Sequence, residues 1–204
     1  MFVKRLIDLA LALLGIALFS PIFVGVTLAL LIERKGAVFF RQQRPGLHGR
    51  PFTLIKFRTM TANPATGAQL PDAARLTRLG RWLRSTSLDE LPELWNVLWG
   101  DMSIVGPRPL LMQYLDRYSP EQARRHDVRP GLTGYAQIMG RNSLSWEDKL
   151  AFDTWYVDHR SLALDLRIIG ATMVQVLTRK GINAPGEATM GEFMGTGKTG
   201  ADRS

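Results

Sequence analysis

Asp89 and Glu90 stand side by side in SLDELPELWN, residues 87–96, and adjacent carboxylates permit two readings. The first is local. Ser87 and Glu90 form an S-x-x-E capping box, acidic residues in a first helical turn offset the exposed N–H groups there, and Pro92 suits that turn because its missing N–H has no helical partner to lose. The second is chemical: one carboxylate attacks an electrophile or holds a metal ion while its neighbour assists. The surrounding cations bear on the choice. Arg108 lies in GPRP, between two prolines that restrict the backbone on both sides, so its guanidinium is pre-organised to fork onto a phosphate or carboxylate. Lys56 and Arg58 alternate at the end of a β-rich run and share one face. Arg84 ends the segment just before the acidic pair, and Arg129 precedes a Pro-Gly turn. Taken singly, each is an ordinary solvated charge. Together with an Asp-Glu pair they point to phosphate chemistry, with cations holding an anionic substrate and a carboxylate attacking or holding Mg²⁺.

Composition narrows the setting. The 204 residues are enough for one domain with a real core and an appendage. With no cysteine, disulfides, thiolate metal sites and a cysteine nucleophile are excluded, and His48, His126 and His159 are too scattered to suggest a histidine metal cluster. A net charge of +8 implies an anionic partner: nucleic acid, a phosphorylated substrate or an acidic membrane surface.

The elements that position these residues begin with an uncharged run of 24 residues, 9 to 32. As a straight helix it reaches about 36 Å, enough to cross a hydrocarbon core of about 30 Å. Ser20-Pro21 falls near its centre. Pro21 cannot donate to the Ala17 carbonyl, so a kink is expected there, eased by Ser20 bonding back to the Ile16 carbonyl. Basic residues flank both ends: Lys4 and Arg5 before, Arg34, Lys35, Arg41 and Arg44 after. A spanning helix is basic mainly on its cytoplasmic side, so two basic flanks are compatible with both ends on one face. The pattern leaves open a re-entrant helix-break-helix and a kinked span.

Beyond it, AVFFRQQRPGLHGRPFTLIKF reads as a β-hairpin, and residues 75–84 and 91–99 as short amphipathic helices with Trp82, Trp95 and Trp99 near their apolar faces. Such a stripe is either core or a membrane-interface belt. GDMSIVGPRPL reads as a loop, followed by a helix near 110–126 and a turn at RPGLTG. A last amphipathic helix fits 162–180, with Leu166, Ile169, Met173, Val176 and Leu177 on one face and Gly181 as its stop. The Gly- and Thr-rich tail is expected to be loosely ordered. Its GTGKTG imitates a phosphate-binding loop, but no strand precedes it and too little chain follows to build a helix. The fold class expected is α+β, predominantly helical, with a re-entrant membrane helix over 1–35, a catalytic domain over 36–182 and a tail over 183–204.

KFRTM, SLDELPELWNVLWGDMSIVGPRPL, HDVRPGLTGYAQIMGRN and DTWYVDHRSLALDLRII together resemble the bacterial sugar transferases, also called monotopic phosphoglycosyl transferases. The likeness covers nearly the whole chain, without the preceding four-helix membrane region of larger members. Within the family it is most similar to the small transferases that load N,N'-diacetylbacillosamine phosphate onto undecaprenyl phosphate, a likeness that extends into GEATMGEF. The resemblance implies transfer of a sugar 1-phosphate from a UDP-sugar to polyprenyl phosphate with release of UMP, the first membrane step of glycoconjugate assembly. It implies that Asp89 is the nucleophile that forms a phosphosugar–enzyme intermediate, with Glu90 as its dyad partner and Mg²⁺ as cofactor held by the two. It places Lys56, Arg84 and Arg108 at phosphate-site positions and Ser20-Pro21 at the helix break. It further implies the cytoplasmic face of the bacterial inner membrane, contact with its anionic lipids, and no nucleic-acid partner. Two rivals make different predictions. A bitopic enzyme transferring the sugar without its phosphate would release UDP. A non-catalytic basic module tethered to the membrane, binding anionic lipid or nucleic acid, would show steep salt dependence and no effect of neutralising Asp89.

Overall fold

A computed structural model describes residues 2–33, 36–62, 70–140, 144–178 and 191–195. In chain order these form α1 (Phe2–Glu33), β1 (Phe39–Pro45), β2 (Pro51–Phe57), α2 (Asp72–Arg75), α3 (Arg78–Ser85), α4 (Glu93–Trp99), β3 (Ser103–Val105), α5 (Pro120–Ala123), β4 (Gly131–Thr133), α6 (Tyr135–Met139), α7 (Trp146–His159) and α8 (Leu162–Thr178). Helix dominates, and the strands make two small pairs. β1 and β2 form the expected antiparallel hairpin, in register from Phe39 opposite Phe57 to Pro45 opposite Pro51, while β3 and β4 pair in parallel.

The apolar helix α1 continues through Ser20-Pro21, where the sequence suggested a break. Pro21 deprives the Ala17 carbonyl of its helical donor, and the Ser20 hydroxyl takes that carbonyl at 2.9 Å. The carbonyl served is Ala17, not Ile16. The exposed side of α1 carries Leu13, Leu14, Leu18, Val24 and Leu28. Its other side packs on the rest of the protein along both halves. Ala12 lies in a core with Leu94, Val97, Ile104 and Ile168, and Phe23, Val26 and Leu30 lie in a second core with Phe57 and Leu83.

Charged residues tie down the first turns of α1. Lys4 Nζ bonds Asp165 at 2.6 Å and the Val105 carbonyl at 3.2 Å. Arg5 donates to the Val97 and Leu98 carbonyls at 2.7 and 3.0 Å, satisfying groups that the end of α4 leaves open. Buried Asp8 accepts from the Ser103 hydroxyl and the Ile104 N–H. At the far end, the Thr77 hydroxyl lies 3.5 Å from Glu33. Both ends of the apolar run are therefore fixed to the same body.

Three segments differ from the sequence reading for local reasons. The helix placed at 75–84 starts at Arg78, because Thr77 is extended and caps it by accepting from the Gly80 N–H. The helix placed near 110–126 divides into a 3₁₀ stretch (Met112–Arg117), α5 and a 3₁₀ turn (Arg124–His126). Pro120 disfavours helical backbone at Ser119, which is extended and opens α5 with a complete capping box closed by Gln122. The loop at 100–110 contains β3, whose three residues are all buried.

α8 starts at Leu162 as expected and is described to Thr178, but Leu166 and Met173 face outward, 62% and 60% exposed, while Ile168 fills the core. Gly181 lies outside the described residues. The tryptophans divide: Trp95 packs against Phe23 and Phe39, whereas Trp82 and Trp99 are exposed. In the tail, residues 191–195 lie against the domain, and Phe193 is buried among Tyr114, Tyr118 and Trp146.

The Asp8 contacts generate a stability prediction. Asp8→Ala leaves the Ser103 hydroxyl and the Ile104 N–H without their acceptor, at a cost of about 2–3 kcal/mol. Thermal unfolding in detergent should show Tm lowered by about 5–10 °C. A fall of less than about 2 °C would mean that Asp8 does not help hold α1 to β3.

Candidate active site

The acidic pair is positioned from α4. Asn96 is fully buried, and its side-chain amide bonds the free edge of β2: Nδ2 donates to the Thr53 carbonyl at 2.8 Å, and Oδ1 accepts from the Ile55 N–H at 3.2 Å. One asparagine thus supplies the ladder contacts of a missing strand and sets α4 beside Lys56. Lys56 Nζ then lies 2.8 Å from Glu90 Oε1 and 2.8 Å from Glu93 Oε1.

The second wall is the GPRP loop. The Gly106 N–H donates to the Thr133 carbonyl at 2.9 Å, and the Gly131 N–H to the Pro107 carbonyl at 3.0 Å. A Cβ on Gly106 would fall 2.4 Å from the Arg129 carbonyl oxygen, and one on Gly131 would fall 2.1 Å from the Gly106 nitrogen. Only glycine lets these two backbones approach so closely. Held this way, Arg108 forks onto Glu90: Nη1 lies 3.4 Å from Oε2, and Nη2 makes a short contact with Oε1.

Asp89 and Glu90 occupy a 3₁₀ turn ahead of α4, not its first α-helical turn. The expected capping box does not form. Ser87 adopts left-handed backbone (φ 57°, ψ 16°), and its side chain makes no cap hydrogen bond, while Glu90 spends its oxygens on Lys56 and Arg108. A non-glycine residue held in this conformation stores about 1 kcal/mol or more immediately before the pair.

The two neighbours consequently have opposite electrostatics. Burial raises Glu90, but Arg108 and Lys56 outweigh it and hold the group well below the usual carboxylate range. Burial first, then the adjacent Glu90 charge, pushes Asp89 up against the pull of Lys56, Arg84 and Arg108. A first helical turn, where the sequence reading set the pair, would favour the charged form of Asp89; desolvation and a like charge act the other way. Asp89 is 9% exposed, accepts no hydrogen bond and forms no ion pair among the described residues.

Of the other candidate cations, Arg84 donates to the Thr59 hydroxyl at 3.0 Å and contributes to the field at Asp89. Arg58 and Arg129 are not brought to the dyad. Arg58 lines a small cavity with Leu30, Glu33, Gly36 and Thr77. Arg129 donates to the Gly100 carbonyl at 2.8 Å and serves the end of α4. Among the described residues, no group of three or more His, Cys, Asp or Glu side chains forms a metal cage.

The family profile described as bacterial sugar transferase matches residues 1–179. The chain belongs to the bacterial sugar transferase family. It is 51% identical over 198 residues to the uncharacterized sugar transferase EpsL of Bacillus subtilis, covering 97% of this chain and 98% of that one. It is 42% identical over 186 residues to the UDP-glucose:undecaprenyl-phosphate glucose-1-phosphate transferase of Caulobacter vibrioides, covering 86% and 70%. It is 39% identical over 198 residues to the UDP-galactose-lipid carrier transferase of Erwinia amylovora, covering 88% of this chain and 41% of that one. None of these three names mentions diacetylbacillosamine.

As a sugar transferase, the chain has site residues that the sequence reading passed over. Glu93 is 2% exposed and shares Lys56 with Glu90. The i, i+3 spacing of Glu90 and Glu93 could have revealed it, since that spacing sets two side chains on one helix face. Arg44, read there only as a membrane flank, reaches the Pro109 carbonyl at 3.4 Å. Burial, then Arg108, lowers its guanidinium to about 10.

Burial, opposed by Lys56 and reinforced by Glu90, pushes Glu93 up to about 7. A carboxyl raised on folding binds more protons in the native state than in the unfolded one between about pH 4.5 and 7, so its contribution falls as pH rises through that window. Glu93→Gln should flatten this part of the Tm-against-pH curve. An unchanged slope would mean that Glu93 is ionised throughout.

Proposed function

We propose that this chain transfers a sugar 1-phosphate from a UDP-sugar to polyprenyl phosphate, releasing UMP, through a covalent intermediate on Asp89. The observation that carries the reading is the division within the dyad: Glu90 is neutralised by Lys56 and Arg108, while Asp89 is left unengaged and raised. A more basic carboxylate is a better nucleophile once ionised, and it must meet an anionic diphosphate in a field of fixed positive charge. The names of the Caulobacter and Erwinia relatives support the donor class, and the Caulobacter name supports the undecaprenyl phosphate acceptor. Their different sugars leave the donor open among UDP-hexoses and UDP-N-acetylamino sugars, N,N'-diacetylbacillosamine included.

In the first half-reaction an Asp89 oxygen attacks the sugar-side phosphorus. The bond from that phosphorus to the bridging oxygen breaks, and UMP leaves with the electron pair. In the second, a phosphate oxygen of the polyprenyl phosphate attacks the same phosphorus and Asp89 leaves as carboxylate. Lys56, Arg84 and Arg108 hold phosphate oxygens, and Glu90 keeps Lys56 and Arg108 in place between turnovers. A magnesium ion would supply further neutralisation of the diphosphate. Such an ion commonly takes only one or two protein carboxylates beside phosphate and water oxygens. The free carboxylate of Asp89 fits that need, whereas Glu90 fits only by giving up Lys56 or Arg108.

We also propose that α1 enters the bilayer without crossing it, leaving the active site on the cytoplasmic face beside anionic lipids. The support is that Lys4, Arg5 and Asp8 at one end, and Phe23, Val26, Leu30 and Glu33 toward the other, all contact the same domain. A straight span would separate those ends by about 30 Å of hydrocarbon. Pro21 marks where α1 bends most cheaply.

Two measurements test these readings. With undecaprenyl phosphate and a panel of UDP-sugars, wild type should release UMP, and Asp89→Asn should lower turnover by about three orders of magnitude or more while remaining folded. UDP as the product, or full activity of Asp89→Asn, would refute the assignment. For topology, single cysteines at Val3 and at Ala37, labelled in intact cells with an impermeant maleimide, should both be protected until lysis. Labelling of position 3 from outside would show that α1 spans.

A further inference from the structure

We infer that the buried ion pair between Arg125 and Asp153 is a positioning device for Arg108, setting the guanidinium that meets the substrate phosphates. The inference rests on the transfer reaction proposed above. Arg108 lies between Pro107 and Pro109, neither of which has an N–H to anchor the loop from within. The loop is held instead through its carbonyls, three in succession. The Pro107 carbonyl accepts from the Gly131 N–H at 3.0 Å, the Arg108 carbonyl from Arg125 Nη2 at 2.6 Å, and the Pro109 carbonyl from Arg44 Nη1 at 3.4 Å. The contact to residue 108 itself is the shortest of the three, and its donor is charged.

Arg125 is fixed from behind by α7. Its Nε and Nη2 lie 3.0 and 2.7 Å from Asp153 Oδ2, and its Nη1 lies 3.5 Å from the Tyr118 hydroxyl. The two side chains are 1% and 3% exposed. Desolvating two charges so fully consumes most of their mutual attraction, so a pair of this kind is a poor source of net stability compared with apolar residues of similar volume. What an apolar pair cannot supply is the donor to the Arg108 carbonyl. The chain of contacts thus runs from Asp153 to Arg125, to the backbone of Arg108, and through its guanidinium to Glu90. Displacing a phosphate-holding guanidinium by a fraction of an ångström is costly in rate, because the fork is directional.

The test separates positioning from bulk stability. Arg125→Met with Asp153→Leu removes the charges and the donor together while roughly conserving volume. We expect Tm to stay within about 5 °C of wild type. UMP release should be measured with undecaprenyl phosphate and whichever of UDP-glucose, UDP-galactose or UDP-N-acetylgalactosamine wild type uses best. In that assay kcat/KM should fall about tenfold or more. Introduced into an Arg108→Ala background, the same pair of changes should cost less than about twofold, because the group they position is already gone. A loss within twofold of wild type, or losses that multiply in full in the Arg108→Ala background, would overturn the inference. If the double variant does not fold, Arg125→Lys keeps a charge opposite Asp153 without the fork, and the same coupling is expected and the same outcomes count against it. A wild type that releases no UMP with any donor would instead refute the reaction on which the inference depends.

Discussion

Two adjacent carboxylates cannot both be desolvated and ionised without compensating charge, and much of this structure answers that constraint. Lys56 and Arg108 neutralise one of them, Glu90, from opposite walls. Each wall needs its own support. Asn96 completes the edge of β2 so that Lys56 is delivered to α4, and the contact between Gly106 and Gly131 lets the Pro-Arg-Pro segment lie against the Arg-Pro-Gly segment. Asp89 then remains as the member of the dyad with no partner among the described residues, raised by burial and by its neighbour's charge. The asymmetry gives the two neighbours opposite electrostatics, which two identical carboxyl groups would not have by themselves.

The same short helix joins the dyad to the long apolar helix α1. α4 follows the dyad directly, and its Leu94 and Val97 pack in the core that takes Ala12 of α1. The fit is close: a Cβ on Gly15 would come within 3.1 Å of Leu94. Arg5 of α1 and Arg129 of the Pro-Gly turn both bond carbonyls at the end of α4. In the reaction proposed above, a lipid-linked acceptor would bring its phosphate to a turn just ahead of a helix that packs directly on α1. A domain joined to α1 by a flexible tether would have no such geometric link between that helix and the dyad.

Much of this was legible in the sequence, and the failures have physical causes. The long apolar helix, the hairpin, α4 and α8 all follow from periodicity and turn chemistry, and Arg108 between prolines was readable as a pre-set fork. The roles of Lys4, Arg5 and Asp8 were not, because basic flanks are read for topology and nothing local marks a buried Asp8 as the acceptor for residues 103 and 104. β3 and β4 are three residues each, too short to show alternation, and their pairing joins segments almost thirty residues apart. The helix placed near 110–126 overlooked Pro120 and its effect on Ser119. Arg58 was grouped with Lys56 by strand alternation, but β2 ends at Phe57, and Arg129 was grouped by its charge beside a Pro-Gly turn, which does not say where a side chain goes. Arg125 fell in the helix placed near 110–126 and Asp153 in a segment read for family likeness, with no local signal of a contact that depends on tertiary structure.

The central claim is that the free, raised carboxylate of Asp89 becomes bonded to phosphorus while the neutralised Glu90 does not. It is tested most directly by mass spectrometry of the full-length protein mixed with its UDP-sugar, without acceptor, and quenched within the first turnover. The account predicts an added mass equal to the sugar phosphate, located on the peptide at Asp89 and discharged when polyprenyl phosphate is supplied before quenching. An adduct at Glu90, or turnover with no adduct at any time, would contradict it.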